Sequence, residues 1–379
     1  MKIIYCIAGT YNSGGMERVL ANKANYLAEL GYEVIIITTD QLQRKPFFAL
    51  SPRIQSYDID INYSENNGKG FIHKILHYPF KLWKHQRRLT KLLIDLRANI
   101  VISMFCNDVA FITKIRDGSK KVLEIHFSKF KRLQYDRKGV WKWADWLRSK
   151  MDEKTVRKFD RFIVLTHEDK CYWGDLPNIE VIENAMTEWT KDCSANLNHK
   201  QVIAVGRFDF QKGFERLIEA WHIVNEFFPD WSLKIIGDGE QRPALEKLIT
   251  QYNLTGVVEL KKSVTGILDE YLDASILVMS SRYEGLPMVL IEAMSVGLPV
   301  VSFACKCGPQ DVITEGEDGF LVPEGDIKEL TERMMRLMAD PNLRQKMGKV
   351  AKLNSQRYAT PAIMARWMKL FDTLKDKKS

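Results

Sequence analysis

Two glutamates, Glu284 and Glu292, sit in the run Ser280-Ser281-Arg282-Tyr283-Glu284-Gly285-Leu286-Pro287-Met288-Val289-Leu290-Ile291-Glu292-Ala293-Met294. A strand-like Ala274-Ser275-Ile276-Leu277-Val278-Met279 leads into it, and Gly285 marks a turn. Pro287 suits the first position of a helix, where its missing N–H costs nothing. That helix is apolar on nearly every side, which predicts burial, with Glu292 in its middle. A buried carboxylate is expensive without a partner. Taken alone, each glutamate reads as a solvated or salt-bridged side chain. Two features point to a ligand instead. Glu284 falls at a strand-to-helix turn, where open α/β sheets bind ligands, and the unpaired N–H groups of a helix start bind anions.

Arg207 and Lys212 follow the strand-like Val202-Ile203-Ala204-Val205, with Gly206 and Gly213 allowing close backbone approach. Positive charge is disfavoured near a helix start. An anion between the two cations resolves the conflict, arginine acting as a fork and lysine as a point charge. Backbone N–H groups at Leu286 to Val289 can add to the same charge stabilisation. Gly14-Gly15 precedes a helix starting near Met16, again an anion-binding arrangement. His126 closes the strand-like Leu123-Glu124-Ile125 and, on its own, reads as a satisfied structural residue.

The elements that must position these residues fall into two alternating series. The first has strands at 2–8, 33–39, 54–60, 100–105, 120–127, 161–166 and 179–183, with helices at 16–30, 81–97, 107–117 and 139–157. Val34-Ile35-Ile36-Ile37 and Phe162-Ile163-Val164-Leu165 are the continuous apolar runs of parallel strands covered on both faces. The polar, aperiodic stretch from Met186 to Lys200 reads as a linker. A second series has strands near 201–206, 232–237, 257–261, 274–280, 299–303 and 319–322, and further helices from about Asp326. Two βαβ halves in succession predict an α/β protein with two doubly wound domains facing a cleft.

With the elements in place, Glu284 to Glu292 resembles the E-x7-E signature of retaining GT-B glycosyltransferases of family GT4. Val205-Gly206-Arg207-Phe208 with Gln211-Lys212-Gly213 resembles that family's G-R-(x)n-K-G element, and Ile235-Ile236-Gly237-Asp238-Gly239 its strand-to-glycine turn. Cys307-Gly308-Pro309-Gln310-Asp311 and Glu317-Asp318-Gly319-Phe320-Leu321-Val322 resemble the segment after the signature helix, and Gly14-Gly15-Met16-Glu17-Arg18-Val19 the N-terminal glycine loop.

The resemblance implies the GT-B fold: two Rossmann-like domains, an acceptor-binding one over 1–190 and a nucleotide-sugar-binding one over 191–355, with a final helix at 356–379 crossing back to the first. It implies transfer of a hexose or N-acetylhexosamine from a nucleotide diphosphate sugar to a lipid-linked or cell-surface glycan. His126, Arg207, Lys212 and Glu284 would serve catalysis. Arg207 and Lys212 neutralise the diphosphate, Glu284 holds the sugar and Glu292 the ribose, each carboxylate accepting two hydroxyls. Gly15, Asn184, Gly206, Gly285, Leu286 and Pro287 complete the donor site, and Gly14 with Gly15 borders the acceptor. The family mechanism is front-face displacement, with no metal and no cofactor beyond the co-substrate. Lys262 stands where many members have the glycine of V-x-F-x-G, at Val258-Glu259-Leu260-Lys261-Lys262. UDP is the preferred carrier and GDP the reserve.

Composition agrees with two ordinary soluble domains: 379 residues, 45% hydrophobic and 27% charged. Six scattered cysteines read as reduced thiols, because Cys305-x-Cys307 lacks the spacing and the second pair of a zinc site. The N-terminal apolar run reads as a first strand and not a signal peptide, and no stretch approaches the ~20 apolar residues of a membrane span. The net charge of +8 is uneven: residues 69–99 carry eight Lys/Arg against Asp95, and residues 129–161 carry twelve against five acids. Both segments interleave these charges with rings, Phe71, Tyr78, Phe80 and Trp83 in one, Phe130, Tyr135, Trp141, Trp143 and Trp146 in the other. Such segments suit an anionic membrane surface and a cytoplasmic, peripheral location on its inner face. The alternative is aromatics in the core beneath a solvated lysine face. No helix-turn-helix, zinc-finger or RNP signature supports nucleic acid.

Two other classes compete. An oxidoreductase needs G-x-G-x-x-G, and neither Gly237-x-Gly239 nor Gly14-Gly15 supplies it. A non-catalytic nucleotide-sugar-binding subunit, or a GT-B phosphorylase or epimerase, stays open as an alternative. Asp58-Ile59-Asp60 is a D-x-D string, the metal motif of another glycosyltransferase fold, placed by its pattern on one face of a strand. Because every other motif is GT-B-like, metal dependence is not expected.

Overall fold

The apolar runs of the first half pair as one parallel sheet of seven strands. In chain order the elements are β1 (Lys2–Ile7), α1 (Gly15–Glu29), β2 (Glu33–Thr38), β3 (Gln55–Asp58), α2 (Phe71–Leu96), β4 (Ile100–Ser103), β5 (Lys120–Glu124), α3 (Val140–Val156), β6 (Arg161–Val164), α4 (His167–Trp173) and β7 (Ile179–Val181). The sheet order is β3-β2-β1-β4-β5-β6-β7. This computed structural model describes every residue except 13, 67–70, 132–139, 190–192, 265 and 377–379.

The second half builds a parallel sheet of six strands. Its elements are β8 (Gln201–Val205), α5 (Phe214–Phe227), β9 (Ser232–Ile236), α6 (Arg242–Gln251), β10 (Val258–Lys261), α7 (Ile267–Leu272), β11 (Ile276–Met279), α8 (Met288–Ser295), β12 (Val300–Phe303), α9 (Pro309–Val312), β13 (Gly319–Val322), α10 (Ile327–Ala339) and α11 (Pro341–Ser355). The order β10-β9-β8-β11-β12-β13 reverses direction between β8 and β11, as the first sheet does between β1 and β4. These reversals are the topological switch points at which doubly wound sheets bind ligands. One compact unit comprises Met1–Val164, Lys170–Ile182 and Met364–Ser379, and the other Leu165–Asp169 and Glu183–Ile363.

The last helix, α12 (Thr360–Asp376), thus delivers most of its length to the first unit. Trp367, Leu370, Phe371 and Leu374 on it are buried, Phe371 lies 6.4 Å from Tyr32, centroid to centroid, and Arg366 donates to the Val181 carbonyl. In the first unit, α2 and α3 follow crossovers that run in the same direction across the sheet. Right-handed connections place both on one face. Leu89 and Leu93 of α2 and Val156 of α3 accordingly share a core with Ile4, Val101 and Leu123.

Three sequence expectations fail. The helix expected at 107–117 is two 3-10 turns, Asn107–Ala110 and Ile112–Lys114. Between them Phe111 leaves helical space at φ −141° and is buried instead. The strand expected at 54–60 ends at Asp58, and Asp60 has φ +51°, so the two carboxylates of the D-x-D string do not share a strand face. Asp60 N–H donates to Asp58 Oδ1 at 3.2 Å, a local turn. Pro287 is the residue before α8 and not its first, with ψ 87°; its carbonyl accepts from Leu290 N–H at 3.0 Å. Tyr135, the basic end Lys377-Lys378-Ser379 and the side chains of Phe71 and Trp141 lie outside the described residues.

Candidate functional site

The switch point of the second unit carries two of the singled-out charges on loops that bond each other. The loop after β8 bears Lys212 and the loop after β11 bears Glu284, and Lys212 Nζ lies 2.6 Å from Glu284 Oε1. Glu284 is buried and Lys212 nearly so, at 7% and 14% side-chain exposure. Gln211 donates to the Tyr283 carbonyl at 3.0 Å and reaches Glu284 Oε2 at 3.4 Å. Arg282 N–H donates to the Gln211 carbonyl at 2.8 Å, and Ser280 Oγ to that of Lys212 at 2.9 Å.

Gly213 permits this closeness. At φ +61° it occupies left-handed space, and a Cβ there would lie 2.5 Å from the Ser280 carbonyl oxygen. Gly206 is covered by the aliphatic stem of Lys212, which a Cβ would meet at 3.0 Å. Glu284 is further tied through its N–H to the Lys306 carbonyl at 3.0 Å. The turn thus holds a carboxylate and an ammonium on backbone fixed by both neighbouring strands.

Glu292 lies inside α8, which is buried from Leu290 to Ser295. Its two oxygens accept hydroxyls: Thr187 Oγ1 at 2.8 Å on Oε1 and Tyr271 OH at 3.1 Å on Oε2. The carboxylate is therefore built to receive O–H donors. Thr187 belongs to the stretch expected as linker, which docks on this unit: Met186 N–H donates to the Tyr358 carbonyl, and Trp189 Nε1 to Ser295 Oγ at 2.9 Å. Gly285, Leu286 and Pro287 lie between the two glutamates, ahead of the first turn of α8, whose leading N–H groups have no intrahelical acceptor. Asn184 is buried in the same unit.

Arg207 is not drawn into this group. Its side chain is 75% exposed, and its guanidinium lies 3.2 Å from Asp209. Thr187, Tyr271 and Asp209 were missed from sequence, and Gln211, though quoted in the lysine motif, was given no role there. Gln211 adjoins Lys212 and was open to notice, whereas nothing in the pattern marks Thr187 or Tyr271.

The remaining singled-out residues belong to the first unit. Gly14 caps α1 and Gly15 is its exposed first residue; a Cβ on Gly14 would collide with Glu17. His126 lies just beyond β5, with Nε2 3.2 Å from Glu124 Oε1. The distance is that of a hydrogen bond but the direction is not, and neither ring nitrogen makes a well-aligned bond among the described residues. Glu124 also takes Lys23 Nζ at 2.5 Å, both side chains being at most 5% exposed. Burial pushes this carboxyl up, and Lys23 and His126 together pull it down further, to about 2. Burial lowers the Lys23 ammonium, which Glu124 opposes. Lys23 also sits 3.8 Å above the Trp367 ring.

At the first sheet's switch point, after β4, Asp108 is 1% exposed. Burial raises its carboxyl to about 6, against the pull of Ser103 and nearby backbone N–H groups. None of these is aligned as a hydrogen bond to either oxygen. Among the described residues no group of three His, Cys, Asp or Glu could hold a metal ion. Cys305 and Cys307 are buried and form no disulfide among the described residues, Cys307 Sγ lying 3.5 Å from Asp169 Oδ1.

Two family models match consecutive parts of the chain: "Glycosyltransferase Family 4" over residues 13–187 and "Glycosyl transferases group 1" over 185–354. A Haemophilus influenzae protein described as an uncharacterized glycosyltransferase is 30% identical over 97% of this chain and 98% of its own length. The amylovoran biosynthesis glycosyltransferase AmsD of Erwinia amylovora is 28% identical with the same coverage of both chains. Among solved structures, an S. aureus TarM mutant in complex with fondaparinux, α-GlcNAc-glycerol and UDP superposes with a TM-score of 0.79 at 18% identity, covering 98% of this chain and 99% of that one.

Proposed function

The chain belongs to the group 1 glycosyltransferases, with their GT-B pair of parallel-sheet domains, and we propose that it is a retaining, metal-independent member. In this reading it moves a hexose or N-acetylhexosamine from a nucleotide diphosphate sugar, UDP preferred, to a lipid-linked or cell-surface glycan. UDP is favoured because TarM was solved with it, and a glycan acceptor because AmsD serves amylovoran biosynthesis. The observation that carries the reading is the Lys212–Glu284 pair held across the β8 and β11 loops.

Each of the two charges satisfies the other. A diphosphate at this turn attracts the Lys212 ammonium, together with Arg207 and the leading N–H groups of α8, and so stabilises charge that grows as the leaving group departs. Glu284, released from Lys212, then accepts hydroxyls of the sugar. Glu292 already accepts two hydroxyls and exchanges one or both for those of the ribose. Gly206 lets backbone approach the phosphates, Gly285, Leu286 and Pro287 shape the turn, and Asn184 borders the donor. The bond from the anomeric carbon to the phosphate oxygen breaks and one to the acceptor oxygen forms on the same face, the acceptor proton passing to the departing phosphate. Gly14 and Gly15 are assigned to acceptor binding, Gly15 also to donor binding, and His126 to positioning at the reacting sugar.

The test is transfer from UDP-glucose, UDP-galactose and UDP-N-acetylglucosamine, with and without EDTA, followed by NMR of the product anomer. An α-linked product from an α-linked donor, made equally with EDTA, is expected. A β product, or loss of turnover with EDTA, overturns retention or metal independence respectively. Nucleotide-sugar binding without transfer or nucleotide release favours the binding-subunit alternative.

A further inference from the structure

The aromatic and basic residues of α2 divide sharply once the helix is folded. One face packs inward through Leu89 and Leu93, with His85 buried beside them. Lys81, Lys84 and Arg88 turn to the preceding loop: Lys84 Nζ donates to the Asp60 carbonyl at 3.0 Å, Arg88 to that of Ile59 at 2.6 Å, and Lys81 pairs with Glu65 at 3.0 Å. The opposite face keeps Phe80, Trp83, Arg87, Lys91 and Ile94, three or four residues apart and hence one stripe. Phe80, Trp83 and Ile94 are 61%, 55% and 49% exposed. Phe80 stacks on Trp83 at 6.0 Å, and the Arg87 guanidinium lies 5.6 Å above the Trp83 ring. Trp83, Arg87, Lys91 and Ile94 border a shallow groove of about 500 Å³.

A second helix repeats the pattern. Trp143 and Trp146, three residues apart on α3, are exposed, and α3 lies on the same side of the sheet as α2. Apolar rings left in water on two helices of one face mark an interaction surface.

We propose that the outer face of α2, extended by α3, docks on an anionic lipid surface. Large rings flanked by cations are the composition that lies in the plane of a headgroup region, rings toward the acyl chains and cations at the phosphates. Arg87 and Lys91 are set within the apolar stripe and not along a polar groove, which disfavours nucleic acid, whose phosphates call for a continuous cationic track. No helix among the described residues is long and apolar enough to cross a membrane, so contact through this face is peripheral. The proposal deepens the reading above, since it places a transferase beside a lipid-linked acceptor.

The test is cosedimentation of the full chain with vesicles of phosphatidylcholine alone or with 30 mol% phosphatidylglycerol, about the anionic fraction that gives a typical surface potential. Phe80→Ser/Trp83→Ser and Arg87→Ser/Lys91→Ser variants are compared with wild type. These side chains are exposed, so the thermal midpoint and UDP binding in solution should not change. Wild type should prefer the anionic vesicles at least tenfold, lose that preference in 0.5 M NaCl, and lose at least tenfold of its partitioning in the aromatic variant. Removing the two cations should cost roughly fivefold each. Partitioning unchanged in both variants, absence of binding to anionic vesicles, or binding to duplex nucleic acid at the same salt in preference to them overturns the proposal. Donor turnover in solution is read separately, so failure of the membrane face and failure of the transferase reading are distinguishable.

Discussion

Replacing Lys23 by methionine should be among the most damaging single changes in the first unit. Lys23 ties three elements: it stands on α1, its Nζ reaches Glu124 at the end of β5 at 2.5 Å, and it lies 3.8 Å above Trp367 on α12. At that separation the gross attraction is about 7 kcal/mol for an effective dielectric of 20, most of it offset by the desolvation of two side chains that are 5% and 1% exposed. The net worth of the pair is therefore small, but the cost of breaking it is not. Lys23→Met leaves Glu124 buried without its ammonium partner, a loss of about 3–5 kcal/mol. Glu124→Leu costs less, because Trp367 still holds the ammonium. The double change Lys23→Met/Glu124→Leu should return to within about 2 kcal/mol of wild type. Urea unfolding of the full chain at pH 7.5, followed by circular dichroism, gives all three values. Single changes below about 1 kcal/mol, or a double change equal to the sum of the singles, would refute a buried pair with this coupling. The pH dependence adds a second check. With its folded carboxyl near 2, Glu124 contributes stability that is fully present above the unfolded carboxylate range and lost as pH falls from about 4.5 toward 2. Lys23→Met should remove that slope.

Asp108→Asn should act in the opposite sense. The folded carboxyl titrates near 6 against an ordinary 3.8, so native stability falls as pH rises through about 4 to 6, by up to about 3 kcal/mol; the variant should flatten this fall and be the more stable at pH 7.5, as urea titrations at pH 4 and 7.5 would show. Gly213→Ala puts a Cβ at φ +61°, 2.5 Å from the Ser280 oxygen, and should cost at least about 2 kcal/mol, lowering the thermal midpoint by roughly 5 °C and weakening nucleotide binding. Lys212→Ala should lower kcat/KM by about 10²–10³-fold, the range for loss of one charge-stabilising donor; a fall below tenfold in steady-state transfer would remove Lys212 from the leaving-group role.

Much of the architecture was legible because its strands are continuous apolar runs. Val34–Ile37 and Phe162–Val164 lie in parallel strands as their composition demands, and the alternation of the two halves reappears as two doubly wound sheets. The fold failed to follow the pattern where tertiary packing outweighed local periodicity. Phe111 broke an expected helix by burying its ring, and α2 runs from Phe71 through Pro79, longer than its periodicity at 81–97 suggested. In the site, Lys212 and Glu284 were both marked by their glycine turns, but their mutual pairing was not, since it depends on two loops brought together by neighbouring strands. Thr187 and Tyr271 could not be found at all: each is an ordinary residue far in sequence from the carboxylate it serves. The charge of α2 was visible as a total, while its division between loop carbonyls and an outer stripe required the folded helix.

The central claim, a donor site at the β8–β11 switch point built around Lys212, Glu284 and Glu292, is tested most directly by isothermal titration with UDP, GDP and NAD without added metal, on wild type and Glu292→Ala. Micromolar binding of one nucleoside diphosphate is expected, weakened by about 10²-fold in the variant for the loss of two charge-assisted hydroxyl contacts, with no binding of NAD. Binding indifferent to Glu292, or no nucleoside diphosphate binding in the wild type, would contradict the account.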